Sequence, residues 1–392
     1  LPHRIFIPYF NFIKLIKHCS YINVMKCISL FSGMGGDTLG MIQAGCEVIA
    51  FNEYDKASIQ SHKMNFPDSE LICASVKDRE KYKESLTGTK KENHKAMKDY
   101  DDVYNIQNIQ DDVLGSYKAD LIFAGHPCQG FSNGGKKLSN DPRNTLFREF
   151  IRCAKLIQPK YIIGENVDGL LTKKTDNGEK YIDVIVSEFE AIGYTMSYKV
   201  CNMSKYGIPQ LRKRLVYVGV RDSNQYVFPK EVVSNQNLKS IIRFSMEGAF
   251  KVDDMPIPEE CILTNMENDE EGSNAHPYLV SKVNSRNVEY NGKIHSSLLS
   301  FAKRDSPIHC EIIDIRNPCK TIICSYNHQP RLFVPLRNKN GFYLRCILPD
   351  ELKQIQGFPA DFKLFGSKKD KIRQIGNAVP PPMVRQIIQE IL

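Results

Sequence analysis

The stretch Cys27–Gly36 narrows the possible folds more than any other. CISLF is a short apolar run, and Ser32-Gly33-Met34-Gly35-Gly36 follows it directly. A buried strand that breaks into a glycine-rich turn and then a helix is the opening unit of an open α/β sheet. A helix is expected over Asp37–Ala44, closed by Gly45, and a second strand over Cys46–Phe51. Further strands are expected at Ala119–Ala124, Tyr161–Ile163 and Leu215–Val220. Between them Leu146, Phe147, Phe150, Ile151, Ala154 and Ile157 recur at helical spacing, as do Ile182, Ile185, Val186, Phe189 and Ile192. Short apolar strands alternating with amphipathic helices predict an α/β fold whose sheet is flanked by helices.

The alternation fades after about Asp222. Residues 223–315 are polar and irregular with short β-prone pieces, which predicts a smaller second lobe. Regularity returns over 316–392, and that segment is expected to rejoin the first domain, 25–222. The stretch 77–102 is dense in Lys, Glu and Asp and is expected to be a solvated insertion. Residues 1–24 precede Met25 and the first convincing strand; they are expected to be a non-native extension, with a targeting presequence as the rival. No apolar run is long enough to span a membrane. The 12 cysteines show no C-x-x-C pair or His spacing for zinc. They are expected to be reduced thiols in a cytoplasmic or nuclear monomer without a metal. A formal net charge of +8 suits a polyanionic partner without requiring one.

Polar residues recur where the predicted strands end. Glu53 stands twenty positions after Gly33, the layout in which glycines admit a nucleotide-type ligand and a later carboxylate accepts from its ribose. The third glycine of the dinucleotide fingerprint is missing, so any adenosine-bearing cofactor remains open. GHPCQGFS (Gly125–Ser132) fixes Cys128 between Pro127 and Gln129 just past a strand, which presents a thiolate rather than packing a core. Glu165 lies in GENV at the end of the next strand. Gln210, Arg212 and Arg214 occupy alternate positions of QLRKR, which puts them on one face if that stretch is extended.

Taken together with QIGNAVPP (Gln374–Pro381), these motifs resemble the DNA cytosine-5 methyltransferases from Met25 to the C-terminus, excepting the insertion and the variable lobe. The resemblance implies a Rossmann-like methyltransferase sheet and a target-recognition lobe. It implies S-adenosylmethionine as cofactor, with Phe31 beside the adenine, Gly33, Gly35 and Gly36 in the donor loop, and Glu53 on the ribose. Tyr54, Pro127, Leu146, Asn377 and Val379 are expected to complete that site. Cys128 is the implied nucleophile, with Glu165, Arg212 and Arg214 catalytic, and Gln129, Ser132, Asn166 and Gln210 on the substrate side. Two departures stand out. His126 occupies a position where the family often has proline, and it is expected to lie outside the chemistry. The usual Asp-Ile pair at the adenine is absent, leaving Ser75-Val76, Asn105-Ile106 and Asn108-Ile109 as candidates.

The implied reaction is methylation of carbon 5 of a cytosine flipped out of duplex DNA, as in restriction–modification, through a covalent Cys128 adduct. An RNA methyltransferase of the same fold and a silent nucleic-acid-binding member are the alternatives. Ser132, where the RNA branch usually has Thr, and the longer second lobe favour DNA. The intact set of Cys128, Glu165, Arg212 and Arg214 argues against a silent member.

Overall fold

A computed structural model describes residues 24–74, 83–100, 102–127, 145–221, 225–232, 236–253, 255, 257–273, 288–290, 293–295, 298–299, 310–327 and 330–392. The first domain contains β1 (Lys26–Leu30), α1 (Gly36–Gln43), β2 (Glu47–Asn52), α2 (Lys56–Asn65), β3 (Glu70–Leu71), α3 (Lys90–Tyr100), α4 (Asp111–Gly115) and β4 (Leu121–Ala124). It continues through α5 (Phe147–Ile157), β5 (Tyr161–Val167), α6 (Tyr181–Glu190), β6 (Tyr194–Asn202), β7 (Gln210–Leu211) and β8 (Lys213–Arg221). Seven of these strands form one sheet in the order β3-β2-β1-β4-β5-β8-β6. β3, β2, β1, β4 and β5 run parallel, whereas β8 is antiparallel to both β5 and β6.

Alternation along the strands sends side chains into two separate cores. Ile122 and Ala124 of β4 pack with Phe150, Ile157, Ile185 and Phe189 of α5 and α6. Leu121 and Phe123 of the same strand point the other way, toward Met41 of α1 and the C-terminal residues Val384 and Ile387. A strand buried on both faces reads as a continuous apolar run, which is why LIFA was visible as a strand. Within the charged stretch 77–102 the chain forms α3, whose described side chains are exposed or half-buried.

A second sheet has the order β13-β14-β16-β17-β9, with β10 also paired to β16. Its strands are β9 (Phe250–Val252), β10 (Leu263–Asn265), β13 (Leu298–Leu299), β14 (Cys310–Ile312), β16 (Leu332–Asn338) and β17 (Gly341–Cys346). Two small pairs accompany it: β11 (Val288–Tyr290) with β12 (Lys293–His295), and β15 (Cys319–Lys320) with β7 of the first domain. The long β16–β17 hairpin extends this sheet past residue 315, where the chain was expected to have left the second lobe. Three helices then close the molecule: α7 (Pro349–Ile355), α8 (Lys368–Asn377) and α9 (Pro381–Gln389). α9 lies so close to α1 that a Cβ on Gly40 would collide with Val384. A third core joins the two parts, combining Met34, Leu39 and Phe66 with Leu332, Tyr343, Phe358 and Ile375.

One buried ion pair fixes the passage from β17 to α7. Arg345 donates to both carboxylate oxygens of Glu351 at 2.8 Å and to the Arg243 carbonyl at 2.6 Å. Glu351 in turn accepts from the Leu348 N–H at the start of α7, 2.9 Å away. Removing one partner leaves the other charge buried without compensation. Arg345→Met is therefore expected to cost about 3–5 kcal/mol in a urea melt. A loss below about 1 kcal/mol would show that the pair is solvated.

Candidate active site

The C-terminal ends of β1, β2, β4 and β5 lie along one edge of the sheet, and each is followed by a residue of the expected site: Phe31, Glu53, Pro127 and, at the end of β5 itself, Glu165. The strand order reverses between β1 and β4, and open α/β sheets bind ligands in the crevice at such a switch. After β1 the backbone takes the left-handed region at Phe31 (φ 55°), Gly33 (φ 56°) and Gly35 (φ 95°). Phe31 is not a glycine, so this conformation is strained and held by its surroundings. The Ser32 N–H donates to the Asn52 carbonyl at 3.0 Å, tying the turn to the end of β2.

Glu53 is the anchor of this turn. Its Oε2 accepts from the Gly33 N–H at 2.7 Å, and its Oε1 accepts from the N–H groups of Tyr54 (2.8 Å) and Asp55 (2.7 Å). The surrounding protein raises its carboxyl above the usual range, against the pull of those three donors. Asn52, one residue earlier, donates to the carbonyls of Ile72 and Tyr104, both at 3.1 Å. Asn105-Ile106 thus follows a residue tied to the end of β2; Ser75-Val76 lies outside the described residues. Tyr54 is 61% exposed. Leu146 is half-buried against the first core, immediately before α5.

From the other side the C-terminal segment presses on the glycine turn. A Cβ on Gly36 would collide with the Val379 carbonyl, and one on Gly125 would stand 3.4 Å from Val379 Cγ2. Val379 is wedged between the turn after β1 and the turn after β4, while Asn377 is exposed at the end of α8. A Cβ on Gly33 would meet nothing within 4 Å among the described residues, so there is open space beside the turn at that residue.

At the end of β5, Glu165 is buried and pairs with Arg214, whose Nε stands 3.0 Å from Oε1. Burial raises the Glu165 carboxyl above its usual range, while the nearby guanidinium groups of Arg214 and Arg212 oppose that rise. Asn166 donates from Nδ2 to the His126 carbonyl at 3.0 Å, linking β5 to the residue just before Pro127. Cys128, Gln129 and Ser132 lie outside the described residues, and Pro127 is the last one before them.

His126 sits inside this site. Its Nε2 is 2.8 Å from Tyr217 Oη and its Nδ1 is 3.1 Å from the Asn166 amide. Burial pushes its imidazole down to about 4, so it is neutral at physiological pH. Tyr217 crosses Gly164, where any Cβ would collide with its ring. The contact has no local signal in the sequence, because Tyr217 sits far along the chain on β8.

The QLRKR alternation is borne out in burial: Gln210 and Arg212 are buried and Arg214 nearly so, with Leu211 and Lys213 exposed. Only Arg214 touches Glu165. Arg212 donates instead to the carbonyls of Ile322, Gly376 and Ala378, and Gln210 bonds to Gln356 and to the Ile322 N–H. Arg212, expected to be catalytic, and Gln210, expected on the substrate side, are both enclosed by the returning C-terminal segment.

A third carboxylate was not anticipated. Asp37, in the first turn of α1, accepts from the Ser29 hydroxyl, and burial pushes its carboxyl up to about 7. Its Oδ1 has no hydrogen-bond partner among the described residues. A carboxyl raised on folding penalises the folded state as it ionises, so the stability it permits is lost as pH climbs from the ordinary aspartate range through about 7. Asp37→Asn is expected to flatten this loss, with a gain on the order of a few kcal/mol at high pH. Denaturant melts at about pH 5 and about pH 8 measure it; an unchanged pH slope in the variant would remove Asp37 as the cause.

A family model described as C-5 cytosine-specific DNA methylase matches residues 25–88 and 78–392. The type II methyltransferase M1.HphI of Haemophilus parahaemolyticus is 28% identical, over 96% of this chain and 89% of its own length. M.FnuDI of Fusobacterium nucleatum, also a type II methyltransferase, is 30% identical over 94% of each chain. The fold is shared with a mutant DNMT2 of Spodoptera frugiperda, with TM-score 0.59, 19% identity, and 94% of this chain and 99% of that one covered. It is also shared with a prophage-encoded DNA modification methyltransferase from E. coli, with TM-score 0.53, 21% identity and coverage of 94% and 98%. The match runs through both lobes from residue 25 to the last, and this chain belongs to the family of C-5 cytosine-specific DNA methylases.

Proposed function

We propose that this protein transfers a methyl group from S-adenosylmethionine to carbon 5 of a cytosine in duplex DNA, as a type II methyltransferase. The observation that carries the reading is the buried Glu165–Arg214 pair at the end of β5, joined through Asn166 to the residue before Pro127-Cys128. The donor would occupy the crevice between the turns after β1 and β4. The opening at Gly33 and the anchored carboxylate of Glu53 fit an adenosine ribose, with Phe31, Gly35, Gly36, Pro127, Leu146, Asn377 and Val379 around it. Asn105-Ile106 is our candidate for the adenine edge, since Tyr104 is tied to Asn52. When bound, the donor supplies an electrophilic methyl group.

Carbon 5 of cytosine is a weak nucleophile, and addition of a thiolate to carbon 6 makes the ring an enamine. We assign that addition to Cys128. Charge then builds on the ring, and a proton donated to ring nitrogen 3 lowers the barrier. Glu165 suits this step because its burial favours the protonated form that can donate. Arg214 holds the Glu165 carboxyl through Nε, and we assign its guanidinium to the carbonyl oxygen of the base as well. After transfer, loss of the carbon 5 proton expels Cys128 and restores the ring. Carbon 5 is unreachable in a stacked duplex, so the base must flip out at a cost of a few kcal/mol. The second lobe, polar and irregular, is suited to reading base edges in the major groove.

The deciding assay offers tritiated donor with duplex DNA or with transfer RNA, followed by nucleoside analysis. Label is expected in 5-methylcytosine of DNA; label confined to RNA would move the protein to the RNA branch. Duplex carrying 5-fluorocytosine should trap the protein covalently, since fluorine does not leave as a proton does. Cys128→Ser is expected to abolish the adduct, and a normal adduct yield would exclude Cys128 as nucleophile. Glu165→Gln keeps the shape but not the acidity, so turnover should fall about 10²–10⁴-fold with DNA binding largely retained. A loss smaller than about tenfold would contradict the acid role.

A further inference from the structure

The two arginines of QLRKR occupy equivalent alternate positions, yet their side chains end in different places. Arg214 meets Glu165. Arg212 is fully enclosed, 1% exposed, and the two terminal nitrogens of its guanidinium donate to backbone: Nη1 to the Ile322 carbonyl at 3.2 Å, Nη2 to the carbonyls of Gly376 (3.2 Å) and Ala378 (3.3 Å). Gly376 lies in the last turn of α8, and Ala378 is its C-cap. The carbonyls there are the negative end of the helix, left without intrahelical partners, and a cation is well suited to them. Burial and the neighbouring Arg214 disfavour the Arg212 charge and Glu165 opposes them, while the three carbonyls give its terminal nitrogens their hydrogen bonds.

Two glutamines complete a closed circuit around the same atoms. Gln356 donates from Nε2 to the Ala378 carbonyl at 2.9 Å, and its Oε1 accepts from Gln210 Nε2 at 2.5 Å. Gln210 Oε1 accepts from the Ile322 N–H at 3.0 Å. Both glutamines are buried. Ile322 is thus held through both its N–H and its carbonyl, just after β15 has paired with β7. The fit is tight: a Cβ on Gly376 would collide with the backbone of Cys324. One residue past Ala378, the Val379 carbonyl presses against Gly36 of the donor turn. Whatever fixes 376–378 therefore fixes the wall of that turn.

We infer that Arg212 is a positioning residue, which with Gln210 and Gln356 clamps segment 376–379 against the donor turn and anchors there the strand returning from the second lobe. This rests on the reading of the Gly33–Glu53 crevice as the donor site. It separates Arg212 from Arg214, and the separation is measurable as a split between donor affinity and turnover. The experiment uses the full chain with Arg212→Lys, Gln356→Leu and Arg214→Lys. Donor affinity is measured by calorimetry with S-adenosylmethionine and S-adenosylhomocysteine, and turnover on duplex DNA at saturating donor.

Arg212→Lys is expected to weaken donor binding by about tenfold or more, raising donor KM by more than it lowers kcat. Gln356→Leu should move donor affinity in the same direction, and Arg214→Lys should lower kcat with donor affinity within about threefold. Thermal melts establish which variants fold; if Arg212→Lys does not, the smaller lesion in Gln356→Leu decides. Donor affinity indifferent to the clamp variants, or a collapse of kcat in Arg212→Lys at unchanged donor affinity, overturns the inference alone. Absence of donor binding by the unaltered protein overturns the functional reading and this inference with it.

Discussion

The contact on which the rest of the molecule depends is the backbone of Val379 against Gly36. Two parts of the chain separated by the whole second lobe meet there without room for a single methyl group. The turn after β1 contains a strained Phe31 and three closely spaced glycines, and such a turn keeps its shape only when neighbours over-determine it. Val379 supplies one neighbour, and the carboxylate of Glu53 supplies another through the Gly33 N–H. The C-terminal segment is thus part of the first domain's crevice, and α9 packing on α1 keeps it there.

Buried charge follows the same geometry. Glu53, Glu165 and Asp37 all stand at strand ends or the first helical turn, where the sheet edge is dry and a carboxyl is raised. Their partners differ, and that decides what each can do. Glu53 is held by three backbone N–H groups as a fixed acceptor, whereas Glu165 faces the guanidinium of Arg214. Open α/β sheets concentrate such groups because helix N-termini and strand ends point into one crevice. His126 adds a neutral hydrogen-bonding group to the same edge, tying the turn before Cys128 to β5 and β8.

Local pattern carried much of this. The apolar runs CISLF and LIFA announced strands buried on both faces, and glycines and polar residues just beyond them marked the edge that binds ligands. Most boundaries shifted by a residue or two and β5 runs four residues past its expected end, since helix and strand ends depend on hydrogen bonds that composition does not show. The second lobe was harder to read. β16 carries Pro335 in mid-strand, which by local rules argues against a strand paired on both sides. Residues 316–392 were expected to rejoin the first domain because regular pattern returns there; β16 and β17 stand in the second sheet, and α9 packs on α1.

The sequence by itself determined the α/β class, the order of the strand-end residues and the one-sided alternation of Gln210, Arg212 and Arg214. Those properties are local, set by period and by residue type within a few positions. Only the tertiary structure decided which of the alternating side chains reaches Glu165 and which is captured by the end of α8. The same holds for His126 with Tyr217 and for Val379 with Gly36. Each of these depends on segments far apart in the chain arriving at one point, and a buried polar group takes whichever partner the packing brings within reach.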